Sequence, residues 1–241
     1  MMYTAVQLGR SGGVVLTTAS SSQADGTGSV RAPEQEGAES EYWLEETLRS
    51  YDSTAHEYAT RFEHANLDAY IWRFLRLLPN GDHLVLDAGC GSGRDCRSFQ
   101  WRGLPVIGVD LSAGLLHEAR RVTTASLIQT DLRRLPIADN VISGIWAGAS
   151  LVHLKEPVFA SAVGEFLRVL KPGGVLFVSV RPGIGTEWRR DSRGGRRFFQ
   201  LYEPREIEAA LRAVGFKMLS IALEPGYGTS IWINAFARAA K

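Results

Sequence analysis

Leu86-Asp87-Ala88-Gly89-Cys90-Gly91-Ser92-Gly93 stands where a short apolar run, Leu84-Val85-Leu86, gives way to a helical pattern near Arg94 to Arg102. A glycine-rich turn at the carboxyl end of a strand is where doubly wound α/β sheets bind their ligands. Glycines let the backbone turn sharply there and approach a ligand that any Cβ would keep away. The spacing is Gly-x-Gly-x-Gly, not the Gly-x-Gly-x-x-Gly that seats a dinucleotide pyrophosphate on a helix N-terminus. The preceding acid, Asp87, would repel a pyrophosphate and suits a ligand that carries an ammonium group.

Downstream of this stretch, apolar runs and helical patterns alternate. Val106-Ile107-Gly108-Val109 precedes a helix near Ala113 to Arg121, and Leu127 to Thr130 and Val141 to Ala147 read as further strands. A helix near Val158 to Leu170 ends at Lys171-Pro172-Gly173-Gly174, and Val175 to Val180 follows as a buried strand. A last helix, Pro204 to Val214, is stopped by Gly215, and two strand-like runs, Met218 to Leu223 and Ile231 to Ala237, close the chain. Continuous apolar strands alternating with helices predict a doubly wound α/β sheet, and the final pair of strands, turning at Pro225-Gly226, predicts an antiparallel edge.

Upstream, Tyr42, Trp43, Leu44, Leu48, Tyr51, Tyr58 and Phe62, then Leu67 to Leu78, recur at three- and four-residue steps as amphipathic helices closed by Pro79-Asn80-Gly81. Residues 1–40 are rich in Gly, Ser, Thr, Ala and Gln and carry little periodic hydrophobicity. They read as a disordered tail, with a strand pairing at Gly13 to Thr18 as the alternative. The expected organisation is therefore a tail over 1–40, a helical cover over 41–80 and a ligand-binding core over 81–241.

Two further acids extend the ligand reading. Asp110 ends the second strand, 19 residues beyond Gly91, where an acid can accept both hydroxyls of a ribose. Asp131 ends the third strand, where it can accept from an adenine amino group or simply cap the next turn. Ribose, adenine and an ammonium-bearing tail together describe S-adenosylmethionine. With Leu167-Arg168-Val169-Leu170-Lys171-Pro172-Gly173-Gly174-Val175-Leu176 as a further motif, residues 42–241 resemble class I S-adenosylmethionine-dependent methyltransferases. The resemblance implies a Rossmann-like, seven-stranded, mostly parallel sheet with one antiparallel edge strand, and S-adenosyl-L-methionine as cofactor with S-adenosyl-L-homocysteine as product. It implies that Asp87, Gly89, Cys90, Gly91 and Gly93 hold the methionine part and that Asp110 and Asp131, each followed by a leucine (Leu111, Leu132), hold the nucleoside. Tyr51, on the helical cover, would contact the sulfonium side, where an aromatic ring near a cation is physically sensible.

The methyl acceptor is less legible. Methyl transfer is an in-line displacement that chiefly needs alignment in a dry pocket, with a base only where the acceptor must lose a proton. His153, after the fourth strand, is the best-placed titratable group, although a lone His there is often a structural hydrogen-bonder. Residues 181–197, after the fifth strand, hold six arginines against two acids. Either Arg181 or Arg197 grips an anionic group of the acceptor in two-pronged fashion, or the segment is a solvated loop. Tyr58 is a candidate substrate contact.

The chain has 27 Lys plus Arg against 26 Asp plus Glu, a net charge of +1, which argues against a wholesale polyanion binder but not against a local basic patch. Its two cysteines stand six residues apart without partners at metal-ligand spacing, so neither a disulfide framework nor a metal site is expected. No apolar run approaches the ~18 residues of a membrane span. The expected protein is a cytoplasmic small-molecule methyltransferase, monomeric or homodimeric, acting on O, N or C of its acceptor. A methyltransferase of a tRNA wobble base and a cofactor-binding protein with a non-methylating role are the alternatives.

Overall fold

The computed structural model describes residues 3–8, 14–19, 41–63, 67–81, 83–226 and 230–241. Within the segment expected as a tail, β1 (Tyr3–Leu8) and β2 (Val14–Ala19) pair antiparallel, which is the strand alternative; its remaining residues up to 40 lie outside the described ones.

The core is a nine-stranded sheet, two strands more than expected: seven form a continuous path, β3 (Val85–Ala88), β4 (Val106–Asp110), β5 (Ser126–Gln129), β6 (Ile142–Gly148), β7 (Leu170–Pro182), β10 (Phe216–Pro225) and β11 (Ile231–Ala239), while β9 (Arg196–Tyr202) branches from the end of β7 and carries β8 (Thr186–Arg190). The order along the path is β10-β11-β7-β6-β3-β4-β5. The pairs from β7 through β6, β3 and β4 to β5 are parallel. β11 runs antiparallel to both β7 and β10, so the reversed strand enters at the expected end of the sheet, with β10 outside it. The chain doubles back between β3 and β6, and this switch point opens the crevice that such sheets use for ligands.

Side chains alternate across the sheet, as the two-residue period of a strand requires. Val85, Val106, Trp146, Phe177 and Phe236 face α3 (Asp68–Leu77), α4 (Arg94–Trp101) and α5 (Ala113–Ala119), packing with Phe74, Phe99 and Leu116. Leu86, Ile107, Ile145, Val178 and Ala235 face α6 (Val158–Val169) and α7 (Pro204–Val214). The helix ends follow local chemistry. α7 starts on a capping box of Glu203 and Glu206 with Pro204 in its first turn, and stops at Gly215 in the left-handed conformation.

Of the three helices in the expected cover, α3 belongs to the sheet face. α1 (Tyr42–Ser53) and α2 (Ala55–Phe62) lie over the strand ends, where Asp52 accepts hydrogen bonds from Ser112 Oγ (2.5 Å) and Gly114 N (2.9 Å) at the start of α5. The arginine-rich segment is solvated at most of its arginines but is not a loop. It forms a hairpin, β8 (Thr186–Arg190) with β9 (Arg196–Tyr202), in which Trp188 opposes Phe198. The guanidinium of Arg196 sits 4.6 Å from the Trp188 ring centre and that of Arg189 5.4 Å from Phe199. Arginine stems and cation–π stacking thus cover the apolar face of a strongly charged hairpin. Among the described residues no helix is long and apolar enough to cross a membrane.

Candidate active site

Two cavities open at the carboxyl ends of the parallel strands. The smaller, about 120 Å³, is bounded by Gly89 and Gly91 after β3, Asp110 and Leu111 after β4, and Asp131 and Leu132 after β5, and is covered by α1. The glycine loop is set by Gly89 N and Cys90 N, which both donate to Val109 O at 2.8 and 2.9 Å. Asp110 fastens the two sides of the cleft: its carboxylate accepts Gly91 N at 2.8 Å and Ser112 N at 2.9 Å. Burial holds this carboxyl above the ordinary range, against the pull of those backbone donors. Asp131 is clasped by the backbone and guanidinium of Arg133, which also grips Glu41 beside α1. That clasp joins the third strand to the cover.

The cleft suits a polar ligand on two observations. A Cβ on Gly89, whose φ is +80°, would lie 2.2 Å from Ser150 Cβ, so the backbone surface there can be presented only by glycine. Ser150 Oγ, on the cleft wall, is buried without a hydrogen-bond partner, a cost that a bound ligand would relieve.

Three of the expected contact residues stand apart from the cleft wall. Asp87, Cys90 and Gly93 do not line the cleft. The Asp87 carboxyl is turned beneath the loop, where it accepts the Cys96 thiol at 3.2 Å. Burial and the neighbouring Asp95 raise its pKa well above the usual carboxylate range. Asp95 in turn holds Arg94 in a two-pronged pair at 2.7 and 2.9 Å and accepts Trp146 Nε1 at 2.9 Å. This buried cluster supports the loop from below.

The larger cavity, about 620 Å³, lies over β6, β7 and β11 under α2 and the β8–β9 hairpin. Its wall carries six arginines (61, 94, 181, 189, 190 and 197) against two acids, Glu57 and Asp191, and aromatic rings that include Phe62, Tyr70, Phe177, Phe199 and Trp232. Both expected anion-binding residues are present. Arg197 donates to Ser50 Oγ at 2.9 Å and Thr54 Oγ1 at 2.7 Å and lies 4.0 Å from the Tyr51 ring centre. Arg181 stands 3.7 Å from Glu187 and 5.1 Å from the Trp232 ring centre; burial and Arg189 press its pKa down.

The two cavities share five wall residues: Tyr51, Tyr58, Gly148, Ala149 and His153. At this junction Ala149 is held at φ +61°, a left-handed conformation costing a non-glycine residue about 1–2 kcal/mol, with its N–H on Ser179 O at 3.1 Å. Backbone strain of this kind clusters at functional sites.

His153 does not present a free nitrogen. Its ring lies 2.6 Å from Phe198 O through Nδ1 and 2.9 Å from Tyr51 Oη through Nε2. A carbonyl only accepts, so Nδ1 carries the proton, Nε2 carries the lone pair, and the Tyr51 hydroxyl donates to it. Burial, with the charges of Arg197 and Arg181, pulls the His153 pKa down to about 4. In this arrangement the Nε2 lone pair is engaged by Tyr51, and the histidine holds the tyrosine as a neutral hydrogen-bonder, the structural alternative to the expected base.

A pH dependence follows. Above the unfolded value of about 6.5 the histidine is neutral whether folded or not. As pH falls towards about 4, the unfolded chain gains a proton that the folded chain refuses, so about 3 kcal/mol of stability present above pH ~6.5 is lost across that window. Urea unfolding at stepped pH should show this one-proton slope in the wild type and its loss in His153→Gln. Equal acid slopes would refute the assignment.

Sequence reasoning missed Ser150, Arg94 and the aromatic wall from β11. Trp232 reaches the cavity only because β11 pairs with β7, a long-range arrangement with no local signature.

Comparison with known proteins points the same way. A family model described as a methyltransferase domain matches residues 85–174. A protein of Encephalitozoon cuniculi named as a methyltransferase is 31% identical over 196 residues, covering 73% of this chain and 89% of the relative. The malonyl-[acyl-carrier protein] O-methyltransferase of Enterobacter lignolyticus is 39% identical over 111 residues, covering 44% of this chain and 43% of the relative. The chain thus spans about half the length of the curated relatives of that type. In structure, the chain is similar to the 1,6-didemethyltoxoflavin-N1-methyltransferase of Burkholderia thailandensis, solved with 1,6-didemethyltoxoflavin and S-adenosylhomocysteine, with a TM-score of 0.66 at 20% identity over 88% of this chain and 94% of that one. At that identity the likeness is one of fold.

Proposed function

The chain belongs to the class I S-adenosylmethionine-dependent methyltransferase family, and we propose that it transfers the methyl group of that cofactor to oxygen of a small molecule bearing an anionic group. The observation that carries this reading is the shared wall: the cleft suited to a polar ligand and the arginine-lined cavity meet at Tyr51, Tyr58, Gly148, Ala149 and His153. Oxygen as the acceptor atom is supported by the relatives named as O-methyltransferases.

On this reading the cleft residues Gly89, Gly91, Asp110, Leu111, Asp131, Leu132 and Ser150 hold the cofactor, which supplies a methyl group activated by positively charged sulfur. The chain's own contribution is alignment and exclusion of water. α1 closes over the cleft, and the hairpin is stitched to it where Phe198 N donates to Thr47 Oγ1 at 2.9 Å and Ser50 Oγ donates to Asp191 at 2.6 Å. Tyr51, held by His153 and stacked under Arg197, keeps the junction in shape. The arginines orient the acceptor, and the aromatic rings bury its apolar body.

The test is incubation of the full chain with methyl-labelled S-adenosylmethionine, once with a mixture of carboxylic acids, phenols, alcohols and amines and once with total tRNA. Label is expected in the small-molecule fraction. Label in RNA would replace this reading with the tRNA one, and cofactor binding without transfer to either would favour a non-methylating role.

A further inference from the structure

We infer that the acceptor atom is a carboxylate oxygen and that the product is a methyl ester. This rests on the methyl-transfer reading above and narrows it from an anionic molecule to an anionic reacting group.

Among the described residues the junction holds cations and no available base. Both His153 nitrogens are engaged, and the Tyr51 hydroxyl is committed to Nε2. Tyr58, the other hydroxyl on the shared wall, has its pKa raised by burial, so it carries its own proton at neutral pH. The two carboxylates of the cavity are occupied: Asp191 accepts Ser50 Oγ at 2.6 Å and Arg193 N at 2.8 Å, and Glu57 is bound by Ser192 and Arg193 of the hairpin tip. An alcohol, a phenol or an ammonium group entering here would find no group among the described residues to take its proton, whereas a carboxylate is already ionised at neutral pH.

The cations stand where the reacting oxygen would be. Among the described residues Arg197 bonds the hydroxyls of Ser50, Thr54 and Tyr51 and is in no ion pair, so its charge is not neutralised by direct pairing. It stacks on Tyr51, whose ring borders both cavities, so an anion on its outer edge lies at the junction rather than at the far end of the larger cavity. Arg181, half-buried and weakly paired at 3.7 Å from Glu187, faces the same space. A planar carboxylate matches the geometry of a guanidinium fork. Behind it, Phe177, Phe199 and Trp232 offer an apolar wall for the rest of the acceptor.

The step balances without a base. A lone pair of the carboxylate oxygen forms the new carbon–oxygen bond while the donor's carbon–sulfur bond breaks, and sulfur keeps the bonding pair. The negative charge of the acceptor and the positive charge of the donor cancel, and no proton is released.

The labelled product of the small-molecule incubation is treated with mild alkali. A methyl ester is cleaved and its label leaves as volatile methanol, while methyl ethers, methylamines and methylated carbon keep theirs. Release of nearly all the label as methanol is the expected result. Label that stays non-volatile would overturn the carboxylate assignment and leave the methyltransferase reading standing. If no small molecule is labelled, the methyl-transfer reading falls as well.

Discussion

Gly89→Ala is expected to abolish cofactor binding at concentrations that saturate the wild type. The added Cβ would fall 2.2 Å from Ser150 Cβ and 3.0 Å from Ser150 Oγ. Ser150 Cβ is fixed to its backbone and cannot rotate away, so the loop or the turn after β6 must move. The left-handed φ of +80° adds conformational strain for alanine. Together these cost about 2–4 kcal/mol in any conformation that keeps the loop in its binding geometry. If the loop retreats instead, the chain stays folded and affinity falls by roughly 30- to 1,000-fold. Circular dichroism of the variant separates this result from unfolding. A variant that is folded and binds normally would refute the role of the loop.

Arg197→Gln should raise the acceptor KM by about 10- to 100-fold, the loss expected when a charged hydrogen bond of about 1.5–3 kcal/mol is removed. The substitution takes away the cation at the junction together with its bonds to Ser50 and Thr54 and its stacking on Tyr51. Cofactor affinity should change far less, because Arg197 borders the larger cavity and not the smaller one. Arg197→Lys keeps the charge but not the fork and should fall between. Steady-state kinetics with each substrate varied in turn decides it, and a rise in the cofactor KM as large as that in the acceptor KM would count against a separate acceptor site.

Much of the architecture was legible because it is encoded locally. Each strand of the parallel core is a short apolar run, and α7 is bracketed by Pro204 and Gly215, so its limits of Pro204–Val214 are those read from the chain. The turn at Lys171 to Gly174 also reads locally, but β7 begins earlier than expected: Leu170 already pairs with Ile142, and the register then jumps to Gly144 with Val175 across that turn. The hairpin was hidden for a physical reason. Its arginines stand in adjacent pairs, Arg189-Arg190 and Arg196-Arg197, beside Trp188 and Phe198-Phe199, so no two-residue period marks a strand, while the cation–π stacking across the hairpin exists only after folding.

The site divides in the same way. The position of Asp110 follows from the strand count alone. The orientation of Asp87 does not, because its burial depends on Cys96 and Asp95 in the next helix. The engagement of His153 could not be read either, since its partners, Tyr51 and Phe198, lie 102 residues before it and 45 residues after it.

The central claim, that the glycine loop and Asp110 form a cofactor cleft opening onto the acceptor cavity, is tested most directly by calorimetric titration of S-adenosylhomocysteine into the wild type and Gly89→Ala. The account predicts saturable binding at one site in the wild type and none at the same concentrations in the folded variant; binding absent from both, or equal in both, would contradict it.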